Sequence, residues 1–387
     1  MKVAIVYTST ESGEAGMSPP DAVGGLSSAL VEAGHGVTVY VPDSEVTTAQ
    51  ELSSEGYRIV RVPADKRVRT GKRRLGVFTE HLERVWRVDR PDVVHAQSWL
   101  SGMAGQVAAR AQGIAVVQSF AMPADKAESA LAGNLVPVLA RRADWMAANN
   151  TEELFSLLRM GCSRSRLSVI PGGVDHTVFT PAGPSTRRDG LPHRIVAVCD
   201  SSDPADLDAA VAAVAALSGT ELVVAVSAGS PYLRTLRAYL RKAARAADVA
   251  AAVSVVEVDG SAEMAMLLRS ADVYVCTART DATGAAALMA MGCGVPVVAA
   301  AVGALVDIVV DEVTGRLVPE GQVGRFVEAI RRVLHEPFAG RGMGGAGRDR
   351  ACSRYSWERV AADALRAYTG AATSTVRSSA PASTKSS

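Results

Sequence analysis

Short, unbroken apolar runs alternate along this chain with longer stretches in which apolar residues recur at helical spacing. In the first half the runs are VAIVYTS from Val3, GVTVYVP from Gly36, RIVRVP from Arg58, DVVHAQ from Asp92 and IAVVQSF from Ile114. Continuous rather than alternating apolar character suits strands covered on both faces. Strand, crossover helix, strand is the order of a parallel, doubly wound sheet. The order restarts after PAGPSTRRDGLPH (Pro181 to His193), with IVAVCD from Ile195, ELVVAVS from Glu221, VSVVEV from Val253, DVYVCT from Asp272 and PVVAAAV from Pro296. The expectation is an α/β chain of two doubly wound domains, residues 1–180 and 194–354, joined by a linker over 181–193. Ligands of such sheets bind beyond the strand C-terminal ends, which places function in a cleft between the halves.

Helix boundaries are marked locally. Asp203 is placed to cap free N–H groups, with Pro204 in the first turn where no N–H is needed. A last helix is expected over 355–369, opened by Ser356 as cap. Residues 370–387 are rich in Ser, Thr and Ala with almost no large apolar side chain, the composition of a disordered tail.

A length of 387 residues exceeds what one core usually organises, which agrees with two domains. The 41 basic and 40 acidic residues leave a net charge of +1, so no field favours a nucleic acid, and a small or neutral partner fits better. Cys162, Cys199, Cys276, Cys293 and Cys352 are scattered, with no Cys-x-x-Cys pair and no His at ligand spacing; they read as reduced thiols, and no metal site is expected. The chain opens directly on a strand, and no apolar run is long enough to span a membrane, so the cytoplasm is the expected compartment. A nicotinamide oxidoreductase is excluded, because no Gly-x-Gly-x-x-Gly follows MKVAIVYTS and AVGGL (Ala22 to Leu26) has the wrong spacing.

Four strings carry more specific information. In SRLSVIPGGVDHTVFTP (Ser165 to Pro181), Gly172 and Gly173 permit turns that a Cβ resists, and Asp175 can bond the backbone that follows it. The others are DVVHAQSWLSG (Asp92 to Gly102), the long stretch from Ser270 to Pro319 ending GRLVP, and YSWERVA from Tyr355. Together they span nearly the whole chain and resemble family 4 retaining glycosyltransferases. HAQSWLSG is similar to the HxHxWLSG of the mycothiol-pathway and sucrose-phosphate-synthase branches, with Gln97 where a second His is common. The resemblance implies a GT-B fold, in which two Rossmann-like domains face across a cleft and the last helix crosses back to the N-terminal, acceptor-side domain. It also implies sugar transfer, with retention, from a nucleotide-sugar donor to an acceptor that the sequence does not identify.

Such transfer builds negative charge on a departing diphosphate, which preorganised donors must meet. The family resemblance puts backbone N–H groups at Thr283, Gly284 and Ala285, which open a helix, and at Gly16 in the loop before the Asp21 helix. It also calls for a basic pair where this chain has Asp200 and Ala205, and CDSSDPADLDAAV (Cys199 to Val211) holds no Lys or Arg. An acidic pair eight positions apart becomes Asp281, whose carboxylate can accept from sugar hydroxyls, and Met289, which belongs to an apolar helix face. A family His near the reacting carbon gives way to Gln118, a hydrogen-bond donor without imidazole chemistry. His95 is a further catalytic candidate from its place at a strand C-terminal end. Asp307 stands where family members carry Glu, either positioning the donor or capping a helix. His35 and His176 read as structural, and the basic run Lys66 to Arg74 as a solvated loop or a contact for an anionic acceptor. No cofactor and no metal is implied, since helix ends can carry phosphate charge and no DxD cluster is present. The lost clamp, ribose acid and His also support a catalytically silent relative that acts as a binding or partner subunit.

Overall fold

The computed structural model describes residues 1–8, 21–43, 49–63, 71–120, 126–188, 190–199, 204–279, 281 and 283–379. They form two compact units, Met1–Pro171 with the C-terminal helix from Trp357, and Gly172–Ser356.

In the first unit, strands β1 (Lys2–Val6), β2 (Gly36–Asp43), β3 (Ala49–Leu52), β4 (Arg58–Pro63), β5 (Val93–Ala96), β6 (Ala115–Ser119), β7 (Trp145–Ala148) and β8 (Leu167–Val169) make one sheet. Its order is β3-β4-β2-β1-β5-β6-β7-β8, and only β3 runs antiparallel, against β4. The five apolar runs of the first half all appear as strands. The others escape a periodicity argument: β3 (AQEL) is short and polar at an edge, and β7 (WMAA) continues the alanine-rich pattern of the helix before it. The helices are α1 (Asp21–Glu32), α2 (Gly71–Val88), α3 (Trp99–Arg110), α4 (Lys126–Arg142) and α5 (Thr151–Arg159). Three large side chains from α2, Phe78, Leu82 and Trp86, recur at helical spacing and bury completely against one face of the sheet.

In the second unit, β9 (His193–Val198), β10 (Thr220–Ser227), β11 (Val253–Val258), β12 (Val273–Cys276), β13 (Val297–Ala300) and β14 (Gly315–Val318) form an all-parallel sheet of order β11-β10-β9-β12-β13-β14. Its helices are α6 (Asp208–Ala216), α7 (Leu233–Ala246), α8 (Gly260–Arg269), α9 (Ala285–Gly292), α10 (Leu305–Ile308), α11 (Val323–His335) and α12 (Pro337–Tyr355). Pro204 opens a short 3-10 turn ahead of α6, and the cap expected at Asp203 lies outside the described residues.

Two expected boundaries move. The contact boundary lies at Pro171/Gly172, not at residue 180, and the segment expected as a linker is bonded into the second unit. The Arg269 guanidinium donates to the carbonyls of Val178, Thr180 and Pro184, and Arg188 grips the Asp272 carboxylate with both terminal nitrogens. Asp175 closes its turn as expected, accepting from the N–H of Thr177 at 2.8 Å.

The C-terminal helix α13 (Trp357–Ser379) runs beyond Gly370, into the segment whose composition suggests a disordered tail. Val360, Ala361, Ala364, Ala367, Tyr368 and Ala371 form a fully buried stripe against α1, β5, β6 and β7 in the core of the first unit. Alanine at most of these positions lets the helix axis approach the sheet closely, so a sequence poor in large apolar residues still buries a face. At Gly370 a Cβ would run into the Trp145 ring, which makes the small residue a packing requirement.

Candidate functional site

The C-terminal ends of the first sheet hold His95 and Gln118, on adjacent strands. In the register His95 pairs with Val117 and Ala96 with Gln118, so the two side chains point to opposite faces. His95 faces α13 and is 2% exposed; Nδ1 meets the Tyr368 hydroxyl at 2.8 Å and Nε2 meets the Ser119 hydroxyl at 2.8 Å. Burial lowers its pKa to about 4, so the ring is neutral at pH 7. Gln118 is fully buried on the other face. Its Nε2 donates toward the carbonyls of Ala96, Ser98 and Ser119, and its Oε1 accepts from Gln106 Nε2 at 3.3 Å. Its donors, two hydrogens in all, are thus engaged by the backbone, and a Cβ at Gly102 would collide with its amide. The two expected catalytic residues therefore converge on no common centre, and each fastens the strand ends to the helices behind them.

The loop after β5 is equally tied. Ser98 caps α3, accepting from Ser101 N–H while Ser101 Oγ accepts from Ser98 N–H, and the Ser98 hydroxyl also meets Thr8 Oγ1 at 2.9 Å. Gly16 lies outside the described residues.

Sequence reasoning missed one group here. Glu153, in the first turn of α5, accepts at Oε2 from the backbone N–H of Asn149 at 2.9 Å and from its side-chain Nδ2 at 2.8 Å. Its Oε1 is buried with no hydrogen-bond partner among the described residues. Burial raises the carboxyl to about 7, against the lowering effect of the Asn149 bonds. The signal was present: Asn150 followed three residues later by Glu153 is a capping pattern, and Asn150 Oδ1 does accept from Glu153 N–H at 2.8 Å.

At the C-terminal ends of the second sheet, Asp281 precedes α9. Its Oδ1 accepts from Gly284 N–H at 2.6 Å and Thr283 N–H at 3.1 Å, and Cys276 Sγ lies 3.8 Å from Oδ2. Burial raises the Asp281 pKa although these two N–H bonds oppose the rise. Gly284 is left-handed at φ +64°, and a Cβ there would strike Ile308, so only glycine fits where the chain turns into the helix. The amides of Thr283 and Gly284, expected to face a phosphate, are thus turned onto the chain's own carboxylate. The Ala285 N–H has no partner among the described residues. Met289 packs, half-buried, on the apolar core. Asp307 sits in the single turn of α10; its carbonyl accepts from Arg350 Nη2 at 2.7 Å and the Tyr355 hydroxyl at 2.9 Å, which fastens that turn to α12.

Beside α6, and beyond the ends of β12, β13 and β14, lies a cavity of about 240 Å³ lined by Ala205, Asp206, Asp208, Thr277, Arg279 and Glu320, among others. Ala205, where the family resemblance calls for a basic residue, lines this cavity, and Asp200 lies outside the described residues. Arg279 is the cation of this lining, 3.8 Å from Asp206. The Tyr239 hydroxyl donates to Asp208 at 2.7 Å. Among the described residues no cluster of His, Cys, Asp and Glu is placed to hold a metal ion, and no helix is long and apolar enough to cross a membrane.

Comparison with known proteins shows what the chain is similar to. Residues 20–173 match the family described as Glycosyl transferase 4-like domain, and residues 205–350 match Glycosyl transferases group 1. The chain is similar to D-inositol 3-phosphate glycosyltransferase of Mycobacterium tuberculosis and Mycobacterium bovis, 30% identical over 314 residues. That match covers 76% of this chain and 65% of the relative, so the chain spans about two thirds of the length of these relatives. Among solved structures it is similar to sucrose-phosphate synthase from Thermosynechococcus elongatus, with a TM-score of 0.81 at 21% identity over 95% of this chain and 98% of the other. The Anabaena protein HepE, solved in complex with UDP and glucose, gives 0.74 at 14% identity over 95% and 99%. These structural likenesses establish the fold.

Proposed function

We propose that this chain, which joins residues matching a glycosyl transferase 4-like domain to residues matching a group 1 domain on a GT-B fold, is a glycosyltransferase that transfers a sugar, with retention, from a nucleotide-linked donor to an acceptor, and turns over common UDP and GDP sugars slowly. The observation that carries the second half of this reading is the capped end of α9. An oxyanion leaving from the anomeric carbon needs cations or aligned N–H dipoles that strengthen their hold as charge develops. Here Asp281 takes two of the dipoles, and Asp206, Asp208 and Glu320 line the cavity with Ala205, where Arg279 is the opposing charge. Loss of one such donor costs about 10²- to 10³-fold in rate. No metal ion is needed in this scheme, and the cytoplasm is its compartment.

A second reading is a silent relative that binds a sugar or a partner protein. It is favoured by the internal engagement of His95, Gln118 and Asp281 together, since each of these three side chains is held by bonds within the chain. Calorimetry with UDP, GDP and dTDP separates the two. Binding of one of them at about 100 μM or tighter, with hydrolysis or transfer of its sugar detectable, supports the enzyme; no heat at about 5 mM supports the silent relative.

A further inference from the structure

The first unit carries a second cavity, of about 400 Å³, at the opposite ends of its strands. It lies between α3 and α4, where Ile114 leads into β6 and Asp144 leads into β7. Gln118 and Ser119 sit at the far end of β6, so this cavity is separate from the strand ends described above. Its wall is aliphatic, built from Val107, Ile114, Leu135 and Val138, with no aromatic ring for a base to stack on. Two of these side chains are left open, Val107 at 55% and Val138 at 36% exposure. The size falls in the range of small-molecule sites.

The charges around it are uneven. Arg110 and Arg142 both line the cavity, and neither guanidinium has an ion pair or hydrogen bond among the described residues. The one carboxylate in the lining, Asp144, accepts at Oδ2 from the backbone N–H of Val116 at 2.9 Å and makes no ion pair among the described residues. An aliphatic wall beside two uncommitted guanidinium groups is complementary to a molecule with an alkyl body and an anionic head, because a planar guanidinium binds carboxylate and phosphate oxygens in pairs. We propose that this cavity is a binding site for a soluble, single-chain anionic amphiphile, an alkyl carboxylate or alkyl phosphate. A nucleotide fits it poorly, for want of an aromatic ring on which a base could stack. An uncharged hydrocarbon would leave both arginines without a role.

The test uses the full chain and n-octyl phosphate below its micelle concentration, with n-octanol as the neutral match. Calorimetry should show one site with a Kd of about 100 μM or tighter for octyl phosphate and at least about tenfold weaker binding of octanol. Arg110→Ser with Arg142→Ser should weaken octyl phosphate about tenfold or more while leaving octanol unchanged; both arginines are exposed, so this variant is expected to fold. Val138→Trp, which fills the cavity, should weaken both ligands. The proposal is overturned by the absence of heat with octyl phosphate at about 1 mM, by equal affinity in the double arginine variant, or by binding to phosphatidylglycerol vesicles alone, which would mark a membrane-facing surface instead.

Discussion

The two sheets use the C-terminal ends of their strands differently. In the first, His95, Gln118, Ser98 and Ser119 are bonded to one another or to the backbone and are buried at 8% exposure or less. In the second, the ends of β12, β13 and β14 border a cavity in which charged side chains remain within reach of a ligand, with Arg279 64% exposed. The difference teaches that a polar residue at a strand end is not thereby a reacting group. Where a helix covers it, it satisfies carbonyls left over as the strand stops; where a loop leaves a gap, it faces a ligand.

The contrast can be broken most sharply at Gln118. Gln118→Leu removes the donor shared by three carbonyls and the acceptor of Gln106, and unfolding free energy should fall by about 3–5 kcal/mol, read from urea midpoints. An unchanged midpoint with altered ligand binding would move Gln118 into the site and erase the difference between the sheets.

A somewhat smaller effect is expected from pH. His95 titrates at about 4 in the folded chain against 6.5 ordinarily, so the unfolded chain binds the proton first and stability is lost as pH falls from about 6.5 toward 4. Glu153 runs the other way: with a folded pKa of about 7 against 4.5, its contribution is complete below 4.5 and is lost as pH rises through 7. Each shift corresponds to about 3 kcal/mol. Glu153→Gln should therefore gain about 3 kcal/mol relative to the parent between pH 5 and pH 8 in denaturant titrations. Parallel curves for the two proteins would show that Glu153 is ionised in the fold.

The smallest effect sharpens the second sheet. Ala205→Lys places a cation in the cavity and should tighten UDP about tenfold, roughly 1.4 kcal/mol, measured by calorimetry. No change, or weaker binding, would mean that the cavity is not where the diphosphate rests.

Much of the architecture was legible from the chain. The apolar runs located ten strands, and Asp175 closes the turn that PGGVD signals. The missed strands β3, β7, β8 and β14 are three or four residues long and lack the adjoining Val-rich run that marks the equally short β5, β12 and β13. Of the candidate site, the want of Lys or Arg from Cys199 to Val211 and the apolar Met289 could be read directly, since they depend on residue type alone. The bonding of His95 to Tyr368, 273 residues away, could not.

Sequence by itself determined the two-sheet α/β plan, the resemblance to glycosyltransferases and the want of Lys or Arg between Cys199 and Val211, because periodicity and side-chain chemistry are local properties. Tertiary structure alone decided which polar groups are sealed. It turned His95 and Gln118 to opposite faces, set Asp281 on the N–H groups of its own helix, and made a buried helix face from an alanine-rich C-terminus. Burial and hydrogen-bond partnership are set by what the rest of the chain brings near, and no residue's own identity contains that information.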